Sequence, residues 1–291
     1  MAKRGMVLSV VGVLIVGLVF LMGACGGGGS SPQADGQVEL SGTITESGST
    51  SVKPLVERMA AAFMNEHGKV RIEIGGGGSG KGISDCAAGI SDIGAISRPV
   101  HLSESDLISY PIARDAVAIV VNESNTIEAL SREEVAEIYI GEITEWGELG
   151  WSEGGSITPY CREKGSGTMD CFVDKVIEYA GYEEDEIVKE AERVDSNAGI
   201  QSNIQGDSSG IGFVSLGYVQ GVKALKLEGI ECTVENCLSG EYPVLRRLQL
   251  VTKTCPEQPA KAFIDFCRGP EGQQIAEEIG YVPLNVSTMC R

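Results

Sequence analysis

Residues Gly75–Ser84 read GGGGSGKGIS, and the reading of this stretch decides the fold. Gly75, Gly80 and Lys81 satisfy the start of the nucleotide-binding pattern G-x-x-x-x-G-K-[ST], but Gly82 stands where the hydroxyl that holds Mg²⁺ belongs. A P-loop ATPase would also need an acid after an apolar strand and access to ATP. The other reading is a glycine-rich turn between a strand and a helix, with its hydroxyl and amides turned toward a free oxyanion and Lys81 toward solvent or the rim of a cleft.

The surroundings favour an α/β framework. Ser51–His67 carries Leu55, Val56, Met59, Ala62 and Phe63 at helical spacing, and strands are expected at Val38–Glu46 before it and Val70–Ile74 after it. A short helix near Ile83–Ala88 and a strand at Asp92–Ser97 continue the alternation, which predicts a parallel sheet. Ala116–Asn122 is apolar enough to be buried on both faces. Beyond it the pattern restarts, with helices at Ser131–Gly141, Thr168–Tyr179 and Pro259–Gly269 and strands at Ile157–Arg162, Ile211–Val219, Ala224–Ile230 and Leu245–Lys253. Two α/β lobes with a cleft between them account for this order.

Four polar turns share one character: Glu46–Val52 (ESGSTSV), Gly75–Gly82, Ile96–Pro99 (ISRP) and Cys161–Met169 (CREKGSGTM). Ser, Thr and Gly before a helix are ordinary caps, and a single turn needs no other explanation. Four such turns facing one cleft would make a cage of neutral donors and helix N-termini for a small anion. Arg98 and Arg162 adjoin two of them and suit bidentate recognition of an oxyanion.

Composition bounds the rest. The 291 residues are 42% hydrophobic and 22% charged, a globular balance, and the net charge of −18 argues against nucleic acid and anionic lipid surfaces as partners. MAKRG followed by the apolar run Met6–Met22 is an export signal, and Leu21–Cys25 (LMGAC) resembles the lipobox of exported lipoproteins, with Cys25 as the lipidated residue. A retained transmembrane helix is the alternative, and either places the chain outside the membrane. Gly26–Gln37 has the composition of a flexible tether. Apart from Cys25, the chain has eight cysteines (Cys86, Cys161, Cys171, Cys232, Cys237, Cys255, Cys267 and Cys290), an even set that fits four disulfides in an exported protein. A metal site is not expected: Cys232 and Cys237 have no companion pair, and His67 and His101 lie far from them in sequence.

ESGSTSV, GGGSGKGI, DIGAISRP, REKGSGTMDCF and SSGIGFVSLGYV, in this order, resemble the phosphate-binding proteins of phosphate ABC transporters over nearly all of the mature chain. The resemblance implies a two-lobed periplasmic-binding-protein fold of the second type, with phosphate held in the cleft by Ser49, Thr50, Ser51, Ser79, Gly80, Ser97, Arg98, Arg162, Ser166, Gly167 and Thr168. It also implies a monomeric binding protein without cofactor or enzyme activity, which delivers phosphate to the membrane permease subunits of an importer. The expected organisation is a signal peptide over residues 1–24, a tether over 25–37, lobe I over 38–117 and 245–291, and lobe II over 118–244. Each lobe then holds an even number of cysteines, and bridges that leave a hinge free lie within lobes, with Cys161–Cys171 and Cys232–Cys237 the expected pairs.

Two departures from the family bear on selectivity. Arg98 stands where well-known members have an aspartate that accepts the proton on phosphate, so the acceptor is expected elsewhere, at Asp92 or a backbone carbonyl. Lys164 occupies a turn that often carries an acid orienting the arginine, a role open here to Glu163 or Asp170. The alternatives are a binding protein for another tetrahedral oxyanion (sulfate, molybdate or tungstate) and a stand-alone phosphate sensor or scavenger.

Overall fold

The computed structural model describes residues 39–284. The signal sequence, Cys25, the tether and Cys290 lie outside the described residues.

The first half of the chain folds as strand, helix, strand, helix, strand. β1 (Gly42–Gly48) pairs in parallel with β2 (Val70–Ile74) on one side and β3 (Ile93–Ile96) on the other, linked through α1 (Lys53–Glu66) and α2 (Ser79–Ala88). The expected apolar stripe of α1 is buried through Leu55, Val56, Met59 and Phe63, and Pro54 sits in the first turn, where a missing N–H costs nothing. α2 starts at Ser79, earlier than the apolar pattern suggested, because the glycine turn itself supplies the helix entry: Gly78 takes φ 87°.

β4 (Ile108–Val121) then runs 14 residues, much longer than its apolar core. Next come β5 (Ala129–Leu130), α3 (Arg132–Ile140), β6 (Thr158–Arg162), α4 (Gly167–Phe172), β7 (Glu192–Val194), α5 (Asn197–Gly206) and β8 (Gly210–Ser215). Short strands β9 (Lys223–Ala224) and β10 (Lys226–Leu227), then α6 (Val234–Ser239), β11 (Leu245–Thr252), α7 (Ala260–Arg268) and α8 (Pro270–Glu278), complete the described chain. A reciprocal cap between Ser131 and Glu134 fixes the start of α3. The helix expected over Thr168–Tyr179 is instead α4 followed by a π-helical turn, Val173–Ile177.

One curled sheet joins nine of these strands in the order β2-β1-β3-β11-β4-β8-β6-β7, with β9 against β4, while β5 and β10 form a separate parallel pair. It is mixed rather than parallel throughout: β11 is antiparallel to both β3 and β4, and β4 is antiparallel to β8. The reason is β4, which changes partner along its length. Its first part, to Ala116, lies against β11, and from Val117 onward it lies against β8. Two main hydrophobic cores follow from this change. One gathers Ile44, Leu55, Phe63, Ile93, Leu250 and Phe263, and the other Val117, Tyr139, Trp146, Phe172, Phe213 and Leu225. The chain therefore has the two-lobed α/β architecture expected from its pattern, and the polar turns after β1, β3 and β6 meet between the cores.

The expected disulfides are a correction. All seven described cysteines are free, and five of them are buried as small apolar side chains. Cys86 donates to the Val251 carbonyl at 3.4 Å, and Cys161 contacts the Ala191 carbonyl on its own side of β6 rather than Cys171. Cys232 precedes α6 and Cys237 lies within it, both as free thiols.

Glu46 is an anomaly of the first core. It shares a face of β1 with Ile44, is 4% exposed, and neither carboxylate oxygen has a partner. Burial pushes its pKa up to about 8, with Lys53 opposing and Glu57 adding to the shift. The folded state therefore holds a proton that the unfolded chain releases near 4.5, so stability falls as pH rises from about 4.5 to about 8 and levels off above. Glu46→Gln should remove this slope and raise the unfolding free energy at pH 8 by roughly 4 kcal/mol while changing little at pH 4.5. Urea unfolding at both pH values checks this; parallel pH profiles for the two proteins would contradict it.

Candidate oxyanion-binding site

Between the cores, four turns bring their hydroxyls to one buried point. From the turn after β1, Ser49 Oγ donates to Ser97 Oγ at 2.9 Å, and Ser51 Oγ lies 3.0 Å from Thr168 Oγ1 at the start of α4. Ser79, the first residue of α2, accepts the Ser97 N–H at 3.0 Å and lies 3.3 Å from the Ser97 hydroxyl. Ser166 caps α4 by accepting from the Thr168 and Met169 amides. Gly167 makes the junction sterically feasible, because a Cβ there would sit 2.5 Å from Ser79 Oγ and 2.6 Å from Ser97 Oγ. The backbone of Gly80 also crosses the gap, its N–H donating to the Gly165 carbonyl at 2.9 Å.

The same packing explains why the glycine stretch is no P-loop. A Cβ at Gly82 would meet the Ala95 carbonyl oxygen at 2.6 Å and that of Ser47 at 3.0 Å, so no hydroxyl side chain fits at the Mg²⁺-binding position. Lys81 turns away and pairs with Asp85.

Two buried guanidiniums lie near each other, and one of them, Arg246, reaches the hydroxyl cluster. Arg162, at the end of β6, is 1% exposed; its Nε and Nη2 donate to the carbonyls of Val194 (3.0 Å) and Asp195 (2.7 Å), while Nη1 is buried without a partner. Burial, then the nearby Arg246 charge, lower its pKa to about 10, so it remains a cation at neutral pH. Arg246, on β11, donates to Ser51 Oγ at 2.8 Å and to Asp115 Oδ2 at 2.7 and 2.9 Å. Asp115 also accepts from Ser215 Oγ (2.9 Å) and the Leu216 amide (3.1 Å). Asn197 opens α5 and donates to Ser51 Oγ at 2.9 Å and to Thr50 Oγ1 at 3.1 Å. Two buried cations against one buried carboxylate leave an excess positive charge with an unused N–H, an arrangement whose desolvation cost an anion offsets.

Of the residues singled out in the sequence, the structure brings Ser49, Ser51, Ser79, Ser97, Gly167 and Thr168 together, with Ser166 as the cap and Gly80 through its backbone, while Arg162 is held by the carbonyls of Val194 and Asp195 near Arg246. Thr50 sits one step outside, bound to Asn197 and, through its carbonyl, to Tyr218. Arg98 points elsewhere: Nη1 and Nη2 hold Glu104 at 2.8 and 2.7 Å, and Nε lies 3.0 Å from Asp170. Asp92 accepts from the amide and hydroxyl of Thr45, away from the cluster. Carbonyl oxygens, rather than Glu163 or Asp170, orient Arg162.

Arg246, Asp115 and Asn197 are the residues that sequence reasoning missed. A signal existed for the first: Arg246 and Leu248 lie two apart in β11, so an arginine shares a face with a core leucine and must find a partner. Its cross-strand neighbour is Asp115.

A family model described as a PBP superfamily domain matches residues 32–271. The chain belongs to the PBP superfamily. Phosphate-binding protein PstS of Bacillus subtilis (strain 168) is 30% identical over 298 residues, covering 98% of this chain and 95% of that protein. A phosphate-bound structure from Clostridium perfringens, described as a phosphate ABC transporter substrate-binding protein, superposes with a TM-score of 0.80 at 35% identity over 84% of this chain and all (100%) of that one. An ABC-type phosphate transport receptor from Vibrio cholerae aligns with a TM-score of 0.67 at 30% identity, covering 83% of this chain and 100% of the receptor. PBP superfamily membership and the curled two-lobed sheet agree.

Removing Arg246 should leave Asp115 buried and uncompensated. Arg246→Met is expected to lower the unfolding free energy in phosphate-free buffer by about 3–5 kcal/mol, and adding Asp115→Asn should restore part of the loss. Chemical denaturation of both variants measures this; a loss below about 1 kcal/mol would contradict a neutralising role.

Proposed function

We propose that the protein captures inorganic phosphate between its lobes and delivers it to the membrane permease subunits of an ABC importer. The observation that carries this reading is the hydrogen bond from Arg246 to the buried Ser51 hydroxyl beside the charge of buried Arg162, whose Nη1 is unpartnered. The proposed ligand set is Ser49, Ser51, Ser79, Ser97, Arg162, Gly167, Thr168 and Arg246, with Gly80, Ser166 and Thr50 shaping the turns and Arg98 bracing the loop after β3. Lobe I comprises residues 38–117 and 245–291 and lobe II residues 118–244, a division supported by the change of partner along β4. The protein acts as a monomeric binding protein rather than an enzyme. PstS relatives carry the same name for the same ligand.

A tetrahedral oxyanion other than phosphate is the second reading, and one observation favours it. Asp115, the carboxylate at the cluster, already accepts from Arg246, Ser215 and Leu216, so a proton on the ligand must be met by a hydroxyl oxygen or a carbonyl. Isothermal titration with phosphate and then sulfate, after stripping bound anion, separates the two. Phosphate should bind tightly with little sulfate heat, and Arg162→Met should weaken phosphate binding by about 100-fold. Comparable sulfate binding would transfer the function to the second reading.

The chain is secreted through residues 1–24 and anchored at the outer face of the cell membrane through lipidated Cys25, with residues 25–37 as tether. Cys25→Ser should release the protein from the membrane fraction into the medium; unchanged membrane retention would favour the apolar segment itself as the anchor.

A further inference from the structure

The neighbouring rungs of the β4–β11 ladder differ sharply in charge. Asp115 faces Arg246 and forms the buried pair, whereas the next rung sets Arg114 directly against Arg247. Like charges opposed across a ladder destabilise a sheet. In a chain with 41 Asp and Glu against 23 Lys and Arg, a carboxylate neighbour would be the easy remedy. Among the described residues neither guanidinium has one.

Both arginines line a cavity of about 820 Å³ that also borders Ser97 and Arg246, two members of the buried cluster. Other cations on its wall are already paired, Arg98 with Glu104 and Asp170, and Lys175 with Asp174 at 2.9 Å. Arg247 is exposed and Arg114 half-buried, so their charge is available to solvent ions. A rung that costs the sheet stability, stands without counter-charge and opens beside the anion cage breaks local rules in the way that functional positions do.

We propose that Arg114 and Arg247 form a second, solvent-open oxyanion site that captures phosphate from solution and speeds its entry into the cage. This deepens the phosphate-binding reading and rests on it. The site supplies local positive potential where the net charge of −18 would otherwise repel the ligand. Capture there is a rate effect, so it alters association and its salt dependence rather than the contacts that hold bound phosphate.

Stopped-flow kinetics of inorganic phosphate binding to the full chain tests the proposal. Arg114→Gln/Arg247→Gln should lower the association rate constant by about tenfold at low ionic strength, flatten its salt dependence, and leave the dissociation rate unchanged. Lys69→Gln/Lys261→Gln, the same charge change on cations that pair at the surface with Glu39 and Asp265, should change association less than twofold. Without ligand, the arginine double variant should melt no lower than the parent, since an unfavourable rung is removed. An unchanged association rate, an equal effect of the lysine control, or a lowered melting temperature overturns the second site while leaving the phosphate reading intact. Failure of the unmodified chain to bind phosphate overturns that reading instead, and this inference with it.

Discussion

The buried ion pair between Asp115 and Arg246 is the constraint on which the rest of the structure depends. Asp115 sits on β4 just before that strand leaves β11 for β8, so its carboxylate faces both halves of the sheet at once. It holds Arg246 on one side and the Ser215 hydroxyl and Leu216 amide on the other. Arg246 then extends to Ser51, which meets Thr168 and Asn197. The change of strand partner, the junction of the halves and the floor of the cage are thus one hydrogen-bonded network. Such networks are worth forming only when every member is satisfied, and beside this one the buried Arg162 leaves its Nη1 without a partner.

An acidic protein that holds an anion presents less of a paradox once distances are considered. Surface charges act through water and salt, with a screening length of about 8–10 Å. The proposed cage would act at hydrogen-bond distance in a dry setting, through hydroxyls, helix N-termini and buried guanidinium charge. Glycine is the quiet partner here, because Gly82 and Gly167 let backbone and side chains approach more closely than a Cβ would permit. The same stretch that imitates a nucleotide loop is therefore shaped by packing against β1 and β3.

Much of the fold was legible because it rests on local pattern. The apolar spacing of α1, the VRIEI strand and the helix starting at Ser131 are short-range signals, and they emerged where expected. Boundaries shifted where tertiary pairing overrode composition: the polar first part of β4 is a strand because β11 lies beside it. The disulfide expectation erred for a related reason, since an even count of cysteines says nothing about which thiols face each other, and most of these point separately into core or carbonyl surroundings.

The sequence by itself determined the alternation of strands and helices and the polar, glycine-bearing turns that precede helices, because these depend on residues a few positions apart. It also pointed to Arg162 and the serines, which lie inside those turns. Only the tertiary structure decided that Arg246, 84 residues beyond Arg162 in the chain, reaches the buried hydroxyls and that Arg98 serves Glu104 and Asp170 instead. The physical reason is that a charged side chain takes the partner that strand register puts within reach, and register across β4 and β11 is set by pairing between segments more than 120 residues apart.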